Sequence, residues 1–542
     1  MESLRAAGTA VELIETHISF VVLAGALAYK IKKAVNLGFL DFTTLALRQH
    51  FCAEELRLNR RLAPALYLDV IPITLGDGKP VFGGTGTVID WAVKMRAFAQ
   101  DGLWDRRVAR GELTPAHIDA AAQRLCEFHR DAAVCGAGSS YGQPLQVREP
   151  MLQTLEALQA LLADTADRDR LDTLRDWEAQ AFKALRVPLS ERLRDGHVRE
   201  CHGDLHLGNV AQVDGEPTLF DCLEFDAGLR WTDVMSDVGF LAMDLHSHQR
   251  ADLAHRFVNA YLERSGDYGG ARVLRYHLVY RALVRAKVAA LRTAQSVSAG
   301  ARALANALVD AGQAVRHYLD VALNCSRTDG PVLMLTHGFS GSGKSTFSAH
   351  LLEAVGAIRI RSDVERKRLA GLPASAQTGS ALRGGLYEAD RTATTHERLR
   401  QAARCVLQGG FSVILDATFL QREQRALARS LAHELGIRFV IVDFPAQAAT
   451  LHARIAARIR TGGDASEADL AVLDDQLRHD EPLSAAERAE VFELVEPQSL
   501  DADAIGAIGR RLRDWLELAP EIARVLRAPL DLAGPGPVTG RR

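Results

Sequence analysis

The chain lacks what would hold a disulfide framework or a zinc knuckle together. Its seven cysteines, Cys52, Cys126, Cys135, Cys201, Cys222, Cys325 and Cys405, are odd in number and scattered, with no C-x-x-C pair. That usage predicts free thiols in a reducing compartment. A long apolar run is missing too. The longest, "ISFVVLAGALAY" over residues 18–29, falls short of the roughly 20 residues that span a bilayer and ends in "KIKK". Glu12 and Glu15 precede it, where a signal peptide would carry positive charge, so the expectation is a cytoplasmic protein. Net charge is only −3, which advertises neither a nucleic-acid footprint nor a polybasic membrane anchor. What the chain does have is length. Its 542 residues exceed one core and predict two to four domains of ordinary soluble composition.

The second half shows short buried-type strands, "VLMLTHG", "IRIRSD", "FSVILDAT" and "RFVIVDF", each followed by a helical stretch. That alternation predicts an α/β domain with a parallel sheet covered on both faces. After the first strand comes "GFSGSGKST", which fits G-x-x-x-x-G-K-[ST] through Gly338, Gly343, Lys344 and Ser345. Glycines let backbone N–H groups curl around phosphate oxygens, so Gly338, Ser340, Gly341, Ser342, Gly343 and Thr346 are nucleotide-binding candidates. Lys344 is expected to reach the β/γ-phosphates and Ser345 to join a Mg²⁺ shell.

Carboxylates at strand ends are the next candidates. Asp416 closes "FSVILD" and reads as a Mg²⁺-linked or water-organising group, or else as a loop cap. Asp363 closes "IRIRSD" with Arg366 a turn later. They read as a proton acceptor and an anion holder, or as a helix N-cap and its neighbour. Arg454 and Arg458, with Arg460 beyond, suit a lid carrying positive charge, or a solvated basic helix. Taken together, residues 331–518 resemble the P-loop small-molecule and polynucleotide kinases, including gluconate kinases and zeta toxins, an AAA-type group. The resemblance implies that Asp363 is an acceptor base and that the lid arginines contact ATP.

The first half reads differently. Residues 18–33 predict two strands around Gly25, and Thr44 opens an amphipathic helix ending before Pro64. "LYLDVIPITL" and "KPVFGGTGTVIDWAV" predict a hairpin pair, with "GGTGT" from Gly83 as a turn. From Thr114, with Pro115 at the first helical position, the chain turns helical to about Asn324, interrupted by a β-rich stretch over residues 198–225. "CSRTDG", residues 325–330, reads as the domain boundary, giving 1–325 and 331–520. The Pro/Gly-rich tail, 528–542, reads as disordered.

"CHGDLHLGNV", residues 201–210, lies in that β-rich stretch. His202 and His206 would form a metal pair only on a helix, which Gly203 and Gly208 oppose. The alternative is H-x-D-x-x-x-x-N, with Asp204 five residues before Asn209 and Asp221 twelve residues further on. On these residues, and on the lobe order before them, residues 11–324 resemble the aminoglycoside phosphotransferase-like kinases, an α+β fold of protein-kinase type related to choline and fructosamine kinases. The resemblance implies Asp204 as catalytic base and Asn209 and Asp221 as Mg²⁺ ligands, with Glu224 or Asp226 assisting. It makes Lys30 of "ALAYK" the phosphate-binding lysine with Lys32 as runner-up, Glu55 or Glu54 its partner, and "DWAVKM" at 90–95 the interlobe hinge. A G-x-G-x-x-G loop is absent; "AGA" at 24–26 stands there instead.

The expectation is a two-module kinase using ATP and Mg²⁺, each module phosphorylating a hydroxyl of a small molecule. A regulatory ATPase with one non-catalytic module, and a polynucleotide-end kinase in the second domain, are the alternatives.

Overall fold

The computed structural model describes residues 11–298, 304–374, 376, 389–461, 468–493, 507, 510–512 and 514, apart from 39, 77, 137 and 329. A six-stranded antiparallel sheet opens the chain: β1 (Val11–Glu15), β2 (Ser19–Ala24), β3 (Leu27–Lys32), β4 (Tyr67–Gly76), β5 (Lys79–Phe82) and β6 (Thr87–Arg96). Its spatial order is β1-β2-β3-β6-β4-β5. The β2–β3 turn places Gly25 at φ 60°, a left-handed value that glycine takes without steric cost. Strand periodicity sorts β3 by face: Ala28 joins the core under the following helix, while Leu27, Tyr29 and Ile31 pack on the other face.

Thr44 caps the Leu45–Asn59 helix by accepting from the Leu47 amide. Arg48, Cys52, Glu55 and Asn59 are its buried stripe. Two expectations need correction in this lobe. β5 and β6 each pair with β4 on opposite sides, so the glycine loop between them crosses over β4 and is no hairpin turn. A Cβ on Gly86 would stand 2.2 Å from the Leu75 carbonyl oxygen, which explains the glycine. Residues 90–95 lie inside the central strand β6, so the connection to the helical lobe follows them, beyond Arg96. β1 is a further strand that the sequence reading missed.

The helical lobe begins at the Pro115–Asp131 helix, closed by a Thr114/His117 capping box. Helices Pro144–Leu161, Thr165–Arg194, Val234–Ser247, Ala251–Ser265, Ala271–Ser298 and Leu304–Ser326 follow. Between them the chain makes β7 (Val198–Glu200), the paired β8 (Val210–Val213) and β9 (Glu216–Leu219), and β10 (Trp231–Asp233), which pairs with β7. All seven cysteines are free, and burial pushes the Cys52 and Cys222 thiols up to about 12.

The second domain starts at β11 (Val332–His337) and adds β12 (Ile358–Arg361), β13 (Val413–Asp416), β14 (Arg438–Asp443) and β15 (Val491–Glu493). All pair in parallel in the order β12-β13-β11-β14-β15. Val332 and Met334 face one apolar layer with Phe347, Leu351 and Phe444. Leu333 and Leu335 face another that runs without a break into Leu274, Ala271 and Phe257 of the helical lobe. The two domains therefore share one core. The proposed tail, 528–542, lies outside the described residues.

Candidate active sites

Both lysines of β3 converge on one carboxylate of the Leu45–Asn59 helix. Lys30 Nζ is 2.8 Å from Glu55 Oε1, and Lys32 Nζ is 2.7 Å from Glu55 Oε2. Burial opposes the charge of Glu55, yet the two ammonium groups hold its carboxyl at about 2. The lysines differ in their second partner. Lys30, 12% exposed, reaches across the cleft to Asp221, whereas fully buried Lys32 closes on Glu224. Glu54 points elsewhere, to Arg57 and Arg230. Glu224 is thus sealed behind Lys32, and Asp226 accepts from the Gly228 amide as a helix cap.

Asp221 has φ 62°, a strained value for a residue with a side chain. Its amide donates to Tyr67 Oη at 3.2 Å, and the next amide, Cys222, donates to Asn59 Oδ1 at 2.8 Å. The sheet and its helix therefore fix the turn that presents Asp221. The Asp204 loop is fixed from the other side. The His202 and Gly203 amides donate to the two oxygens of Asp237, at 2.7 and 2.9 Å, and Leu207 donates to Asp244 at 2.9 Å. Asp237 and Asp244 lie seven apart on the buried Val234–Ser247 helix, so one helical face serves the whole loop. Burial opposes Asp237's charge, but His129 and His202 bring it down to about 2.

Within that loop Asn209 Nδ2 donates to Asp204, at 2.9 Å to its carbonyl and 3.1 Å to Oδ2. The amide is oriented by this, and Asp204 stays 40% exposed. His202 is buried; desolvation lowers its pKa and its Nε2 lies 2.8 Å from the Phe220 carbonyl. Among the described residues the close His/Cys/Asp group is His129, Cys201 and Asp237, which includes neither His202 nor His206. Asp237 there is committed to backbone amides, so the group serves the loop. The oxygens of Asn209 and Asp221 suit a hard cation such as Mg²⁺.

In the second domain the phosphate loop takes glycine conformations at Gly338, Gly341 and Gly343, with φ of 144°, 83° and 91°. A Cβ on Gly338 would meet the Phe444 carbonyl at 2.9 Å. The Lys344–Val355 helix follows, with Thr346 exposed in its first turn. Lys344 Nζ lies 2.6 Å from the Phe339 carbonyl and 3.3 Å from Ser342 Oγ. Ser345 Oγ donates to Asp416 Oδ1 at 3.2 Å, and Ser348 Oγ donates to Oδ2 at 3.0 Å. An all-oxygen set beside a glycine cradle fits Mg²⁺ and a polyphosphate.

Asp363 is in the first turn of the Ser362–Leu369 helix rather than at a strand end, and Arg366 Nη1 lies 2.7 Å from its Oδ1. Arg454 and Arg458 ride the Ala448–Thr461 helix; Arg454 is exposed, and Arg458 donates to the Ala468 carbonyl. The side chain of Arg460, and residues 462–467 of the proposed lid, lie outside the described residues. Sequence reading missed Gln476. It accepts from the Ser340 amide at 2.9 Å and donates to Ser340 Oγ at 3.0 Å, while Leu451, Ile455 and Leu473 pack with Phe339. It missed Arg359 as well, whose Nη1 donates to the Ser345 carbonyl at 2.9 Å. The one available signal was the alternation in "IRIR", which hides charge inside a strand.

The phosphotransferase enzyme family matches residues 50–274, and an AAA domain family matches residues 333–483. Uncharacterized proteins of Mycobacterium tuberculosis strain ATCC 25618 / H37Rv and of Mycobacterium bovis are each 31% identical over 459 residues, covering 84% of this chain and 88% of theirs. Among solved structures, a choline/ethanolamine kinase family protein from Mesorhizobium loti aligns at 15% identity and TM-score 0.34, over 58% of this chain and 92% of its own. A gluconokinase from Sinorhizobium meliloti 1021 aligns at 21% identity and TM-score 0.23, over 35% of this chain and 98% of its own.

Proposed function

The chain belongs to the same family as these mycobacterial proteins and joins a phosphotransferase-family domain to an AAA-type P-loop domain; from that premise we propose that it is a two-site, ATP- and Mg²⁺-dependent kinase. Each site transfers the γ-phosphoryl group of ATP to a hydroxyl of a small-molecule acceptor. The observation that carries this reading is the line from Glu55 through Lys30 to Asp221, whose neighbour Phe220 donates its amide to the carbonyl of Asn209, itself hydrogen-bonded to Asp204.

In the first site Lys30 holds the nucleotide phosphates, with Glu55 keeping the lysine extended. Asp204 accepts the proton of the acceptor hydroxyl as its oxygen bonds to the γ-phosphorus and the bond to ADP breaks. Asn209 and Asp221 would hold the metal. When bound, Mg²⁺ offsets the charge carried by the phosphates. In the second site the Gly338–Thr346 loop and Lys344 cradle the phosphates, Ser345 and Asp416 would hold the metal, and Asp363 takes the acceptor proton beside the anion-holding Arg366. Arg458 and Arg454 bring positive charge from the lid helix, and Gln476 ties that lid to Ser340.

The test is an ATP-dependent screen of metabolite extracts for a mass gain of one phosphate. Asp204→Asn should lower formation of first-site product about a hundredfold to ten-thousandfold. Lys344→Ala should remove a different product. ATP turnover without any phosphorylated acceptor would replace this reading with a regulatory ATPase.

A further inference from the structure

Strand β12 carries Arg359 and Arg361 on the side away from the core that takes Ile358 and Ile360. Arg359 is 9% exposed, and a guanidinium so enclosed needs partners. It finds them in two domains. Nη1 donates to the Ser345 carbonyl at 2.9 Å and to Ser348 Oγ at 3.3 Å, and stands 3.9 Å from Asp416 Oδ2. Nη2 lies 3.4 Å from Glu263 Oε2, and the Arg359 amide donates to Asn259 Oδ1 at 2.7 Å. Arg361 is shared the same way, 3.9 Å from Asp416 and 3.9 Å from Glu263 Oε1.

Asn259 and Glu263 are four apart on the Ala251–Ser265 helix, one face of which therefore meets β12. That helix belongs to the first domain. Two arginines thus stand between two carboxylates, one from each domain. If Glu263 lost its charge, the Arg359 guanidinium would be left with Asp416 as its facing carboxylate. An Asp416 clamped by arginine at Oδ2, the oxygen that accepts from Ser348, offers less negative charge to a cation held beside Ser345.

We infer that Glu263, aided by Asn259, is a positioning residue of the P-loop site supplied by the other domain: it draws Arg359 and Arg361 off Asp416 and so keeps the Ser345–Asp416 pair ready for Mg²⁺. This rests on the reading of that loop as a Mg²⁺-nucleotide site. The first domain is then part of the second active site as well as the bearer of its own.

The experiment uses the full-length chain carrying Asp221→Ala, which removes the first site's metal ligand, and N-methylanthraniloyl-ADP as probe. Binding is titrated with and without Mg²⁺, and the part abolished by Lys344→Ala defines the second site. Glu263→Gln should raise the Mg²⁺ concentration at half-effect about tenfold, leave metal-free ADP affinity unchanged, and be largely rescued by Glu263→Asp. Asn259→Ala, which frees the Arg359 backbone without altering charge, should move the Mg²⁺ midpoint in the same direction by less. In the metal-free protein, hydrogen exchange at the Ser345–Ser348 amides should rise in Glu263→Gln. An unchanged Mg²⁺ midpoint in both variants overturns the inference, as does a parallel loss of metal-free ADP affinity. A signal indifferent to Lys344→Ala overturns the nucleotide reading beneath it.

Discussion

Lys344 keeps its ammonium against the Phe339 carbonyl and the Ser342 hydroxyl, and burial lowers its pKa to about 8 while Asp416 and Asp363 pull the other way. Phosphate oxygens would restore the charge. Below pH 8 the lysine is already protonated, so binding takes up no proton there. Between 8 and its ordinary 10.5, binding must draw a proton in. Second-site nucleotide affinity should therefore fall as pH rises through that window, by up to about tenfold per pH unit. Calorimetry in buffers of different ionisation enthalpy should show the proton uptake, and a profile flat from pH 7 to 10 would refute the assignment. Glu55 sits at the opposite extreme: with an ammonium on each oxygen, its charge is fixed across any working pH.

Among the elements, the phosphate loop depends most sharply on one residue type. At Gly341, φ is 83° and a Cβ would sit 3.0 Å from Ile455 Cγ1 and 3.2 Å from the Leu451 carbonyl, on the lid helix. Gly341→Ala should displace that helix and weaken second-site nucleotide binding, with first-site product formation unchanged; retained affinity in equilibrium dialysis would contradict this. Local spacing made such elements legible. Asp204, Asn209, Asp221 and the loop from Gly338 to Thr346 each stand at motif spacing, Lys30 is reached only through the family resemblance, and their strands and helices follow from periodicity and caps. What stayed hidden depends on partners far away in sequence. The crossover from β5 to β6 is decided by which edge of β4 is open. Glu54 and Glu55 are neighbours that only packing tells apart. Gln476, Asp237 and Glu263 act on partners 136, 35 and 96 residues distant, and no window along the chain shows that.

Taken whole, the molecule has a core that crosses its domain boundary, from Phe257 and Leu274 to Leu333, Ile360 and Val413. Cutting the chain there would expose apolar area on both pieces. The intact protein should unfold in one calorimetric transition, coincident with its tryptophan fluorescence, to which the first domain contributes four of the five tryptophans, Trp91, Trp104, Trp177 and Trp231. Two separated transitions would show the domains to be independent. At the joint, Arg275 stacks on Phe411 and donates to the carbonyls of Cys325 and Gly410, at 2.8 and 2.9 Å, and to that of Arg327. One side chain thus fastens the end of the first domain, the start of the linker and a turn of the second. The consequence concerns distance. Among the described residues the joint is packed on both sides, so the two sites of the proposed kinase would keep one separation, and a product of one would reach the other through water.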